Sequence, residues 1–331
     1  MLEHGGRLDA AIDLYGGERA DWLDLSTGIN QQSWPLPDLE ASVWQRLPDA
    51  QLELSATSAA RQYYEVGDAA HVACGAGSQA LIQLLPFCYA PQNVAIVGFT
   101  YGEHAPAWRR AGHEVFVADG LESAEATARI VVVVHPNNPD GHCYDRDALL
   151  ALARRLGQKG GVLVCDEAFC DTVPDVSLGG ETGSDGLVVL KSFGKFFGLA
   201  GVRLGFAFGP ELLIERLKET LGPWPVSGPA LAIGADAFQD AKWIKATRKK
   251  LAKWRSELEV VLLLNRFELL GGTDLFVLVQ HFKSAEVADH LAKVHILVRQ
   301  FSGQPGWLRF GVPIKKRDLA RLSDALSSFR T

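Results

Sequence analysis

Lys191-Ser192-Phe193-Gly194-Lys195-Phe196-Phe197-Gly198-Leu199-Ala200-Gly201-Val202-Arg203-Leu204-Gly205 is the stretch on which the reading of this chain turns. It sets one lysine, Lys195, three residues after a serine and eight before an arginine, in a glycine-rich run behind an apolar strand. An amine that forms Schiff bases needs a fixed position, close packing and neighbours that keep part of it unprotonated. Ser192 and Arg203 suit the phosphate of an aldehyde cofactor while Lys195 condenses with its carbonyl. By itself the stretch also fits a solvated loop lysine, so the rest of the chain has to decide.

Upstream lies Cys74-Gly75-Ala76-Gly77-Ser78-Gln79-Ala80-Leu81-Ile82-Gln83-Leu84-Leu85. Two glycines let the backbone approach an anion closely, and an amphipathic helix is predicted to begin near Ser78. Its free N–H groups and positive end make a phosphate cup. The same letters fit a dinucleotide fingerprint, which needs an acidic residue at the tip of the next strand. That strand, Asn93 to Val97, runs into Gly98-Phe99-Thr100-Tyr101 with no acid, and the dinucleotide reading fails.

Ile130-Val131-Val132-Val133-Val134-His135-Pro136-Asn137-Asn138-Pro139-Asp140-Gly141 reads as a buried parallel strand opening into a turn. Ligands in open α/β sheets bind at that carboxyl edge. An asparagine there can donate to a phenolate oxygen such as that of pyridoxal, although Asn-Pro turns also form for local reasons. Gly161-Val162-Leu163-Val164-Cys165-Asp166-Glu167-Ala168-Phe169 is a second such strand, ending in acids. A carboxylate against a pyridine nitrogen keeps it protonated and makes the ring an electron sink. No phosphate-loop lysine and no His/Cys cluster accompanies these acids, which disfavours a nucleotide or metal role.

Taken in order, the glycine cup, aromatic, Asn-Pro turn, acid after a strand, Ser-x-x-Lys and downstream arginine resemble the fold-type I pyridoxal-phosphate enzymes. The chain is similar to the class I/II aminotransferase superfamily, in its histidinol-phosphate aminotransferase-like branch, from about Asp24 to Val312. The resemblance implies an α/β fold: a large domain with a mostly parallel sheet flanked by helices, and a smaller α+β domain. It implies pyridoxal 5'-phosphate as cofactor, Lys195 as its covalent partner and the catalytic residue, and Asp166 at the ring nitrogen. It further implies Asn138 at the 3-oxygen, Tyr101 stacked on the ring, and Ala76, Gly77, Ser78, Ser192 and Arg203 around the phosphate. Arg309, in Trp307-Leu308-Arg309-Phe310-Gly311, matches the arginine that grips a substrate carboxylate, a task for a guanidinium fork.

Within the branch, Glu3-His4-Gly5-Gly6-Arg7 and Asp24-Leu25-Ser26-Thr27-Gly28-Ile29-Asn30 resemble the members that decarboxylate L-threonine O-3-phosphate to the aminopropanol phosphate linker of cobalamin. On that resemblance His4, Gly5, Gly28, Asn138, Arg299 and Arg309 contact substrate, the two arginines serving its phosphate and carboxylate. The alternative expectation is a histidinol-phosphate or related aminotransferase, because Lys195 can return a proton after either bond breaks. Three departures stand out. Phe169 replaces a usual tyrosine, so no phenol donates to the cofactor's 3-oxygen. Leu47-Pro48-Asp49 lacks the tyrosine that commonly reaches a partner subunit, with Tyr63 or Tyr64 as substitutes. His135 and Asp140 replace the usual residues of the Asn-Pro turn.

Composition agrees without sharpening the picture. A chain of 331 residues, 47% hydrophobic and 22% charged, suits a globular protein of about two domains. A net charge of −6 argues against nucleic acid, and the basic run Lys245 to Arg255 reads as a solvated helix face. Five scattered cysteines, no basic and apolar leader and no bilayer-length apolar run point to the cytoplasm. The expected layout is an N-terminal arm over 1–30, a large cofactor domain over 31–229 and a small domain over 230–331, in a likeness whose members are homodimers. A long helical region is expected from about Ala230 to Asn265.

Overall fold

The computed structural model describes His4 to Phe329 and divides into two compact units. One comprises Ser33–Asn138 and Cys143–Ala241; the other comprises the residues up to Gln32, Pro139–His142 and those from Lys242 on. In the second unit the chain begins with helix α1 (Leu8–Tyr15) and the short strand β1 (Leu23–Asp24).

The first unit opens with α2 (Ala41–Gln45) and α3 (Ala50–Tyr63), the latter capped by the Asp49 carboxylate accepting from Leu52 N. Strands and helices then alternate: β2 (His71–Ala76), α4 (Ser78–Leu84), β3 (Asn93–Val97), α5 (His104–Arg110), β4 (Glu114–Ala118), α6 (Leu121–Thr127) and β5 (Ile130–Val134). The series continues with α7 (Arg146–Gln158), β6 (Val162–Asp166), β7 (Leu187–Ser192), the single turn α8 (Phe193–Phe196), β8 (Leu204–Gly209), α9 (Glu211–Leu221) and α10 (Gly228–Gln239). The seven strands lie in the order β2-β8-β7-β6-β5-β3-β4. Only β8 runs against its neighbours.

Side-chain alternation explains why this sheet is covered on both faces. Ile130 and Val132 of β5, with Val162 and Val164 of β6, join Leu81, Trp108 and Leu217 of α4, α5 and α9 in one core. Val131, Val133, Leu163 and Cys165 face the other way, into a core with Leu149, Leu152 and Leu156 of α7. By the same parity Val134, Asp166 and Ser192 emerge on the α4/α5/α9 face at the carboxyl ends of β5, β6 and β7. Glu167 and Lys191 fall on the opposite face.

The second unit continues with α11 (Ala241–Leu264), β9 (Glu268–Thr273), β10 (Phe276–Gln280), α12 (Ser284–Lys293), β11 (Ile296–Leu297), β12 (Arg299–Gln300), β13 (Trp307–Gly311) and α13 (Lys316–Ser328). An antiparallel sheet, β12-β13-β10-β9, and the short parallel pair β1-β11 complete it.

Two expected boundaries change. Residues 4–30 are no separate arm: Leu8, Ala11 and Trp22 pack with Ala292 of α12, and β1 pairs with β11. Residues 230–241 belong to the large unit, and the long helix breaks at Asp240 between α10 and α11. The reason is composition. Gly228-Pro229-Ala230-Leu231-Ala232-Ile233-Gly234 has small side chains that let α10 lie close against α3, where Ala56, Ala59 and Ala60 are buried. No described helix is long and apolar enough to cross a membrane.

Candidate active site

At the carboxyl edge of the large sheet a cavity of about 210 Å³ is lined by Ser78, Gln79, Ile82, Tyr101, Val134, Asn138, Asp166, Ala168, Phe169, Ser192, Lys195 and Arg203. Each side chain arrives there from a strand end or the turn that follows it. Lys195 stands in α8, directly after β7, with its Nζ 5.6 Å from the centroid of the Phe169 ring.

Asp166 ends β6 with 2% of its surface exposed. Its Oδ1 accepts from Ala168 N at 3.0 Å, and its Oδ2 lies 2.9 Å from His104 Nε2. An ionised carboxylate only accepts, so the imidazole donates to it. Glu167, the acid next to Asp166, is otherwise engaged. It forms a buried ion pair with Lys191 and accepts from the Ser177 hydroxyl at 2.6 Å and Leu178 N at 2.7 Å. Burial opposes a charge on Lys191, but Glu167 outweighs it and holds the ammonium above the ordinary lysine value. The two asparagines divide in the same way. Asn137 accepts from Thr100 Oγ1 at 2.6 Å and donates to Phe99 O at 3.1 Å, tying down the loop that presents Tyr101, whereas Asn138 lines the cavity.

The phosphate cup is built by close approach. Gly75 and Gly205 are register partners on β2 and β8. A Cβ on Gly205 would lie 2.3 Å from Ser78 N, and one on Gly77, at φ +80°, would lie 2.4 Å from Arg203 Nη2. Glycine is therefore obligatory where the guanidinium folds over the turn. Arg203, itself left-handed at φ 56°, donates to Ala200 O at 3.2 Å and Ala76 O at 3.3 Å. Ala76 thus serves through its carbonyl, as a support for Arg203. This donor set fits a phosphorylated aldehyde: two hydroxyls, a guanidinium and helix-start N–H groups at one end, a lysine and a buried acid at the other.

The predicted substrate residues His4, Gly5, Gly28, Arg299 and Arg309 lie in the second unit. Arg299 and Arg309 are directly opposed on β12 and β13. Like charges so placed repel unless an anion or a fixed partner offsets them. Arg309 is 6% exposed, stacks 4.8 Å over Phe276 and donates to Ser26 O at 3.1 Å. Ser26 also anchors the N-terminus: its Oγ accepts from Gly6 N at 2.7 Å, and a Cβ on Gly5 would lie 2.2 Å from its carbonyl oxygen. Gly28 is buried and His4 exposed; Glu3 lies outside the described residues.

Sequence reading missed His104, Gln79 and the Glu167–Lys191 pair. The signals were present: His104 follows Tyr101 by three residues, and a lysine inside an otherwise apolar strand must be paired if buried. Tyr64 is no substitute for the absent early tyrosine, being 6% exposed among Phe208 and Phe238. Tyr63 stacks on Phe238.

The model of the family described as aminotransferase class I and II matches residues 20–326. The chain belongs to that family. A threonine-phosphate decarboxylase of Sinorhizobium sp. is 42% identical over 98% of both chains. One of Pseudomonas aeruginosa is 43% identical over 100% of this chain and 98% of its own. Among solved structures, the histidinol-phosphate aminotransferase of Sinorhizobium meliloti in complex with pyridoxal-5'-phosphate superposes with a TM-score of 0.82 at 21% identity, covering 98% and 94% of the two chains. That likeness shows the class I and II fold.

Proposed function

We propose that the chain is a pyridoxal-phosphate-dependent carboxy-lyase that converts L-threonine O-3-phosphate to (R)-1-amino-2-propanol O-phosphate and carbon dioxide, in cobalamin biosynthesis. One observation carries decarboxylation over transamination: the relatives that are 42% and 43% identical over nearly the whole chain both bear the decarboxylase name, whereas a histidinol-phosphate aminotransferase matched over 98% of the chain is 28% identical.

When bound, the cofactor supplies an electron sink for the pair left on Cα as carbon dioxide departs. The protein's part is to bind, orient and move protons. Lys195 Nζ would hold the cofactor aldehyde and, when free of it as an ammonium, would be the acid that returns a proton to Cα. Asp166, fixed by His104 and Ala168 N, keeps the ring nitrogen protonated. Asn138 donates to the 3-oxygen, Tyr101 covers the ring face, and Ser78, Ser192 and Arg203 hold the phosphate. Arg309 takes the substrate carboxylate and Arg299 its phosphate, with His4, Gly5 and Gly28 completing the anion site. This division places a charge on each end of a substrate that has two.

The reading includes a homodimer in the cytoplasm. Trp44 and Leu47 are each 65% exposed in the single chain and Leu54 and Trp224 each 57%, a load of surface apolar area that favours a second copy.

Incubating the cofactor-loaded protein with L-threonine O-3-phosphate and no keto acid should release carbon dioxide and aminopropanol phosphate over many turnovers. Conversion of the cofactor to its amine form by histidinol phosphate, with no carbon dioxide, would establish the aminotransferase instead. Lys195→Ala should lose the borohydride-reducible link to the cofactor; retention of the link would refute the lysine assignment.

A further inference from the structure

A run of side-chain hydrogen bonds leads away from the cavity on the α4/α5 side. Tyr101 hydroxyl donates to Gln79 Oε1 at 2.9 Å, and Gln79 Nε2 donates to Glu103 Oε2 at 3.1 Å. Gln83 Nε2 donates to the same Glu103 oxygen at 3.0 Å, and Arg110 Nη1 donates to Gln83 Oε1 at 2.5 Å. The direction of the run is set at its ends. An ionised carboxylate can only accept and a guanidinium can only donate. Both glutamines must therefore turn their NH2 groups to Glu103. Gln79 is then left with its carbonyl facing the phenol, and Tyr101 has no choice but to donate to it.

Glu103 occupies the position before α5, and its side chain turns to the two glutamines and makes no capping bond to that helix. Tyr101 and Gln79 both line the cavity, so the proton that Glu103 commits is one that would otherwise be available inside the site.

We propose that Glu103, acting through Gln79, is a positioning residue for cofactor binding: it commits the Tyr101 hydroxyl as a donor to Gln79 and so holds the tyrosine ring in one pose against the cofactor. The inference rests on the cofactor assignment above. It follows that a neutral amide at 103, which can either donate or accept, releases the direction of the whole run without changing its shape. Gln79 can then flip, and Tyr101 gains alternative partners and alternative poses.

The test is a double-mutant cycle read as the dissociation constant of pyridoxal phosphate, measured by fluorescence quenching on the full chain. Glu103→Gln should weaken binding by about three- to tenfold, the range of one lost hydrogen bond. In a Tyr101→Phe background, where no hydroxyl remains to be directed, the same substitution should change the constant by less than about twofold. An undiminished effect in that background would mean that Glu103 acts through the fold of α5, and would overturn the proposal. So would an unchanged constant for Glu103→Gln beside a wild-type chain that binds normally. A wild-type chain that does not bind pyridoxal phosphate would refute the cofactor assignment itself, and with it this inference.

Discussion

Lys191→Met removes the cationic half of the ion pair behind the cofactor site, and the structure sets the size of the effect. Glu167 is 0% and Lys191 2% exposed, and the ammonium also donates to Ser177 Oγ at 2.9 Å and sits 4.6 Å from the Tyr64 ring centroid. Without it the Glu167 carboxylate retains Ser177, Leu178 N and the weak Cys165 thiol as donors but loses its counter-charge. Breaking one side of such a pair costs about 3–5 kcal/mol. In a unit of roughly 200 residues, each kcal/mol moves the melting temperature by about 2–4 °C. Thermal unfolding of the cofactor-free variant, followed by circular dichroism, should therefore show a fall of about 6–20 °C. Lys191→Met with Glu167→Gln should recover more than half of it, since the amide keeps its acceptor for Leu178 N and carries no charge.

The pH dependence has a definite sign. Because Glu167 raises the folded-state value of Lys191 against the pull of burial, the stabilisation is complete below the ordinary lysine value and is lost only as pH climbs through the raised one. The gap between wild type and Lys191→Met should be flat from about pH 7 to 9, well below the ordinary lysine value. A drop under about 3 °C, less than the cost of baring one buried charge, or a double variant no better than the single, would refute this reasoning.

Two further outcomes follow from the same geometry. Arg309→Lys keeps the charge but loses the planar fork, so KM for the phosphorylated amino acid should rise about 10- to 100-fold in steady-state assays; an unchanged KM would remove Arg309 from the substrate site. Burial and then the Glu53 carboxylate push the Cys74 thiol up to about 12, and burial raises Cys88, Cys165 and Cys170. Iodoacetamide at about pH 8 should therefore alkylate the exposed Cys143 alone until the chain is unfolded, as intact mass can show; a second adduct on the folded protein would contradict these burials.

By itself the sequence determined the alternating architecture and the location of the chemistry. Runs such as Ile130 to Val134 can only be strands buried on both faces, and the groups that bind a phosphorylated aldehyde sit at their ends, at spacings that local physics and the family likeness make legible. Parity along a strand is a local property, so Val134, Asp166 and Ser192 were bound to share a face once the register was set.

The family likeness singled out Asp166 and Asn138, but the physical reason that these and not their neighbours enter the cavity was a different matter. Asp166 and Glu167 are equally acidic in the chain, and only the packing of β6 beside β7 turns one toward His104 and the other toward Lys191. The same holds for Asn137 and Asn138, separated by what Thr100 and Phe99 O require. The placing of α10 on α3 and of Gly5 on Ser26 also depended on contacts between residues far apart in sequence. No local pattern encodes such contacts, because their energy comes from surfaces that meet only after the chain has folded.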